Sequence, residues 1–134
     1  MHASEVLLER LARPHQEFDR ASWLQQAGTC ALSLGQYILA EEQLQRALDE
    51  LPTEWTLRYT LTSLSLAKAL THIKEPEKAI EVARKVLPII KATQTKVLTQ
   101  KLMNYLQEDL IVSFPNDKNC RAFIAEVRQQ LTLE

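Results

Sequence analysis

Two stretches of this 134-residue chain repeat one another at an offset of 39 residues. Ala27-Gly28-x-x-Ala31 compares with Leu66-Ala67-x-x-Leu70, and Tyr37-x-x-Ala40-x-x-x-Leu44-x-x-Ala47 compares with Pro76-x-x-Ala79-x-x-x-Ala83-x-x-Val86. In each copy a small residue stands twelve positions ahead of an alanine: Gly28 and Ala40, then Ala67 and Ala79, with Gly35 and Lys74 in between. Spacings of three and four place such residues on one face of a helix. Where two helices cross closely, small side chains let the backbones approach and larger apolar ones fill the flanks. The pattern therefore describes helix hairpins, and a hairpin buries its apolar surface fully only by stacking on a neighbour.

The rest of the chain agrees with an all-α fold of about seven helices. Gly is scarce, at 2 residues, and no alternating strand pattern occurs. Leu, Ala, Glu, Gln and Lys, which lose little side-chain freedom in helices, are abundant. Ser4 is placed to cap a leading helix from about 5 to 12, with Val6, Leu7, Leu8 and Leu11 as its stripe and Pro14 as its end. A second helix is expected from Asp19 or Arg20 to Leu34, with Trp23, Leu24, Ala27, Ala31 and Leu34 recurring along it and Gly35 stopping it. A third runs from Tyr37 to Leu51, with Ala40, Leu44, Ala47 and Leu48 inward and Pro52 closing it. A fourth covers 56–72 and includes Leu57, Leu61, Leu64, Leu66, Ala67 and Leu70. Pro76 suits the first turn of a fifth helix to about Lys91, which Pro88 is expected to kink or shorten. A sixth covers 94–110, with Val97, Leu98, Leu102, Tyr105 and Leu106 on one face, and a last one covers 118–131 around Phe123, Ile124, Val127 and Leu131.

The first copy resembles the tetratricopeptide repeat family through Ala27-Gly28, Ala31, Gly35, Ala40, Leu44, Ala47 and Pro52. It departs from that pattern at the aromatic positions, with Trp23 one residue early, and the 39-residue offset exceeds the family's usual period of about 34. The resemblance implies one superhelical domain over 1–134: a leading helix at 1–13, repeat one at 21–54, repeat two at 56–91 and a terminal hairpin at 93–131. The runs Trp23-x4-Gly28-x-Cys30-x3-Leu34-Gly35 and Glu75-Pro76-Glu77-x-Ala79 are also similar to the carboxy-terminal repeat arrays of bacterial helix-turn-helix regulators. In that family the array senses a ligand or dimerises beside a DNA-binding head, which this chain lacks.

Charge is balanced overall, at −1, so nothing global draws the chain to nucleic acid or to a membrane. Locally, residues 1–55 hold 4 basic and 9 acidic groups, while 56–107 hold 9 and 3. Cys30 and Cys120 are too few and too distant for a disulfide framework or a zinc site. With no signal-like or membrane-spanning run, a cytoplasmic protein is expected. His2, His15 and His72 have no acid, base or ligand beside them in sequence, and Glu41-Glu42 and Asp49-Glu50 are neighbours that point apart on a helix. No enzyme, metal or cofactor is expected.

The expected activity is binding of a protein or peptide, a second copy of the chain included. Ligand-contacting groups on such a module come from the first helix of each pair. That places Ser22, Gln25, Thr29 and Leu32 on the concave face, followed by Leu61, Leu64, Lys68 and His72, and then by Lys96, Gln100 and Asn104. Modules that clamp a peptide carboxylate use a set of Lys and Asn there, and Lys68 alone fits that role. Leu61 and Leu64 are either part of this face or covered by a neighbouring helix.

Overall fold

The computed structural model describes residues 13–52 and 54–131, with side chains from residue 20 onward, so the helix expected at 5–12 lies outside the described residues. Six helices follow one another. They are α1 (Arg13–Ser33), α2 (Tyr37–Glu50), α3 (Thr56–His72), α4 (Pro76–Thr93), α5 (96–113) and α6 (Lys118–Gln130). Helix α5 is composite: an α-helical stretch Lys96–Tyr105, a π-helical turn Leu106–Leu110 and a closing turn Ile111–Ser113. Among the described residues there is no strand, and no helix is long and apolar enough to cross a membrane.

Two prolines behave differently from the sequence expectation. Pro14 is helical rather than a stop, and α1 covers residues from Arg13 instead of starting near Asp19. Pro88 lies on the exposed side of α4, which continues past it to Thr93. Proline's φ is already helical, and at Pro88 neighbouring turns and the packed face hold the helix together despite one missing N–H.

The 39-residue offset extends to the backbone hydrogen bonds. At the end of α1, the Gly35 N–H donates to Leu32 O at 3.1 Å and the Gln36 N–H to Ala31 O at 2.9 Å. At the end of α3, Lys74 N–H donates to Thr71 O at 3.1 Å and Glu75 N–H to Leu70 O at 3.0 Å. Each set is the double hydrogen bond of a Schellman turn, which requires one left-handed residue. That residue is Gly35 at φ 77° in the first turn and Lys74 at φ 73° in the second. Glycine adopts this region at little steric cost, whereas an L side chain does not.

These short turns fold α1 back on α2 and α3 back on α4, and α2 packs on α3 to join the two hairpins. Helices α1, α3 and α5 meet in succession along one side, and α6 packs on α4. The α1–α2 crossing is tight: a Cβ placed on Gly28 would come within 2.6 Å of Leu44 Cγ. Leu44 then joins Ala31, Ala40, Leu66, Ala69, Leu70 and Ala79 in a core built mostly of small residues. The larger core runs through the second half of the chain. It joins Ala83, Val86, Leu87 and Ile90 of α4 to Leu98, Leu102, Leu106 and Leu110 of α5 and to Cys120, Phe123 and Val127 of α6. Each large side chain removed from water there contributes about 1.5–3 kcal/mol. Asp117 caps α6, its Oδ1 accepting from the N–H groups of Asn119 at 2.8 Å and Cys120 at 3.1 Å.

Several apolar residues expected to face inward do not. Trp23 and Leu34 are 64% and 74% exposed, and Leu57 and Val97 also face solvent. Among the described side chains of α1 the buried positions are Ala21, Leu24, Gly28 and Ala31, a narrow stripe set by its contact with α2. Trp23 and Leu34 fall on the flank of α1 opposite Gln25 and Thr29, where no described helix packs.

Candidate functional site

Because α1, α3 and α5 lie side by side, their inner faces form a groove of about 400 Å³. Gln25 and Thr29 come from α1, Leu61, Leu64, Ser65 and Lys68 from α3, and Lys101, Asn104, Tyr105, Glu108 and Asp109 from α5. A second depression adjoins it, sharing Gln25 and Leu61 and adding Trp55, Thr56, Leu57 and Arg58. Together they make a continuous strip from an aromatic and aliphatic end to a charged end. Leu64 is 7% exposed and belongs to the large core, while Leu61 packs against that core and remains partly open to the groove.

Six of the eleven residues singled out from sequence line this groove, Gln25, Thr29, Leu61, Leu64, Lys68 and Asn104, while Leu32 packs against the small core instead. Ser22 and Gln25 are held by Arg58, whose guanidinium donates to Ser22 Oγ at 3.3 Å and to Gln25 Oε1. Thr29 Oγ1 donates to the Gln25 carbonyl at 2.8 Å. Lys96 and Gln100 line a different depression, with Ile90, Gln94 and Leu131 beside the α4–α5 turn. Gln100 still touches the groove wall indirectly, its Nε2 donating to Asn104 Oδ1 at 2.8 Å.

His72 is not a lining residue. Its ring stacks on Tyr37 of α2, with centroids 4.4 Å apart and planes 8° from parallel, and its Nε2 lies 3.1 Å from Asp109 Oδ1. Asp109 sits in the π-helical turn and is 8% exposed. Burying a carboxylate is costly unless it is paired, and His72 supplies the partner. One turn away, Thr71 Oγ1 donates to the Ala67 carbonyl at 2.8 Å, so the Tyr105 hydroxyl, 2.7 Å off, donates to Thr71. Burial holds the Tyr105 phenol well above the usual tyrosine range, which keeps it neutral. Helices α2, α3 and α5 are thus tied together beneath the charged end of the groove.

Lys101, Glu108 and Asp109 were not expected in the groove from sequence. One signal was present for Asp109. Leu98, Leu102, Tyr105 and Asp109 follow a four-three-four spacing, which puts a carboxylate at a core position. A buried acid needs a partner, and that partner, His72, lies 37 residues away.

The groove presents two ammonium groups, two carboxylates, amide and hydroxyl groups, and an aliphatic floor. Four of the lining residues, Gln25, Asn104, Tyr105 and Asp109, are each fixed by a hydrogen bond to a side chain outside the lining. Among the described residues, no three of His, Cys, Asp and Glu are placed to share a metal ion. Cys30 is exposed and Cys120 buried, both as free thiols, and burial beside the Asp117 carboxylate pushes the Cys120 thiol up to about 11. No protein-family model matches the chain, and no curated protein or solved structure matches it significantly.

Proposed function

We propose that this chain is a non-catalytic helical-repeat module of the tetratricopeptide kind that holds an extended segment of another protein across α1, α3 and α5. The observation that carries this reading is the continuous strip from Trp55 and Leu57, over Leu61, to Lys68, Lys101, Asn104 and Glu108. Its apolar end suits an aliphatic or aromatic side chain, and its charged end suits backbone and side-chain hydrogen bonds. His72, expected on the concave face, is instead committed to Asp109 and Tyr37, where it braces the groove from behind. The exposed free thiol of Cys30 fits a reducing, cytoplasmic setting.

Selection of peptides from a displayed random library against the intact chain tests this reading. Selected peptides should bind at least tenfold more weakly to the Lys68→Ala/Lys101→Ala chain, with the unfolding transition unchanged. Undiminished binding, or failure to select any peptide, overturns it.

A further inference from the structure

The outer face of the last hairpin carries a second cleft, on a different face of α5 from the groove. Its cavity of about 330 Å³ has a floor of Met103, Leu106, Ile111 and Ile124, with Arg121 and Arg128 at its edges. Leu106 is fully buried, Met103, Ile111 and Ile124 are half-buried, and both arginines are exposed. The two arginines stand two turns apart on α6, and Arg121 is steadied by a 2.9 Å hydrogen bond from its Nε to the Pro115 carbonyl. A pair of neighbouring helices leaves a furrow of this kind, and an amphipathic helix fills it by seating apolar residues three and four apart.

We infer that this cleft receives residues 1–12 of a second copy of the chain, so that two copies each contribute a leading segment to the other's last hairpin. The sequence of that segment has the matching chemistry. In a helix, Leu7, Leu8 and Leu11 would share one face, with Glu5 and Glu9 one turn apart on the flank next to Leu8. Leucines meet the aliphatic floor while the two carboxylates meet the arginine edges. The first hairpin is a poorer host, since α2 exposes Glu42 and Asp49 on its surface. A reciprocal exchange of this kind closes at two chains. It does not depend on the groove across α1, α3 and α5, and its failure would leave that reading untouched.

Light scattering on the intact chain at micromolar concentration should give twice the 15.4 kDa chain mass. Arg121→Glu/Arg128→Glu, or Glu5→Arg/Glu9→Arg, should each return the mass to one chain with the helical circular dichroism signal unchanged. All four substitutions in one chain should restore the pair. A mixture of Leu8→Cys and Ile124→Cys chains, each also Cys30→Ser, should form a disulfide-linked pair that Ile124→Cys chains do not form alone. A native monomer, charge reversals without effect, or absence of the mixed disulfide each overturns the inference.

Discussion

At the α1–α2 crossing, Gly28 faces Leu44; at the same two positions of the α3–α4 hairpin, 39 residues on, stand Ala67 and Ala83. One hairpin fills the crossing with nothing on one side and a large side chain on the other. The second places one methyl group on each side, two carbons fewer than the leucine side chain alone. Both crossings are fully buried, and the flanking turns close with the same hydrogen bonds. Packing depends on the summed volume at a contact more than on which helix supplies it. The turns differ in the same manner, with Gly35 and Lys74 holding nearly the same left-handed φ at different conformational cost.

The largest effect follows from breaking the crossing. Leu44→Ala should cost about 2–5 kcal/mol in chemical denaturation, from lost burial plus the cavity beside Gly28. Gly28→Ala alone should cost about 1–3 kcal/mol from overpacking, reduced by up to about 1 because alanine favours the helix. The double variant reproduces the pairing of the second hairpin, so it should be more stable than the sum of the two by at least about 1 kcal/mol. Additive losses would show that the two crossings are not alternative fillings of one site. At the turns, Gly35→Lys should lose about 1–2 kcal/mol, the cost of a left-handed L residue. Lys74→Gly should move the other way and gain about 0.5–1 kcal/mol, since it relieves that cost but frees the unfolded chain.

The smallest effect on stability at neutral pH compares the two cysteines. Cys30 on α1 should react with a thiol reagent in the native chain, whereas Cys120, buried on α6, should react only on unfolding. Cys120 is raised from 9.0 to about 11, and Tyr105 in the same core is also raised, so the folded chain holds these protons more tightly than the unfolded chain. The Cys120 contribution is therefore complete below pH 9 and is lost as pH rises through 11, and that of Tyr105 is lost only at higher pH. Alkaline unfolding that begins with the second half of the chain would sharpen the contrast; a start in the first hairpin would break it.

Much of the groove was legible because the repeat resemblance implies that the first helix of each pair lines one face, and helical spacing then selects Gln25, Thr29, Leu61, Lys68 and Asn104 on those helices. Assigning Lys96 to that face failed. The groove crosses α5 further along, at Lys101 and Asn104, and Lys96 lies at the end beside α4. Trp23 and Leu34 were misplaced for a related reason. Apolar spacing identifies a helix, but which part of a broad apolar arc is covered depends on the angle at which the neighbour crosses.

The sequence by itself determined that this is a stack of helix hairpins, where α2 and α3 begin, and that the hairpins repeat every 39 residues. Those features rest on interactions within a few residues: i to i−4 hydrogen bonds, Gly35 at a left-handed turn, Pro76 at a helix start. Only the tertiary structure decided the π-helical turn, the Tyr37–His72–Asp109 brace, the side of α1 that stays bare and the cleft behind α5. Each of these depends on side chains more than thirty residues apart, or on which helix covers which flank, and the crossing of helices brings those groups together.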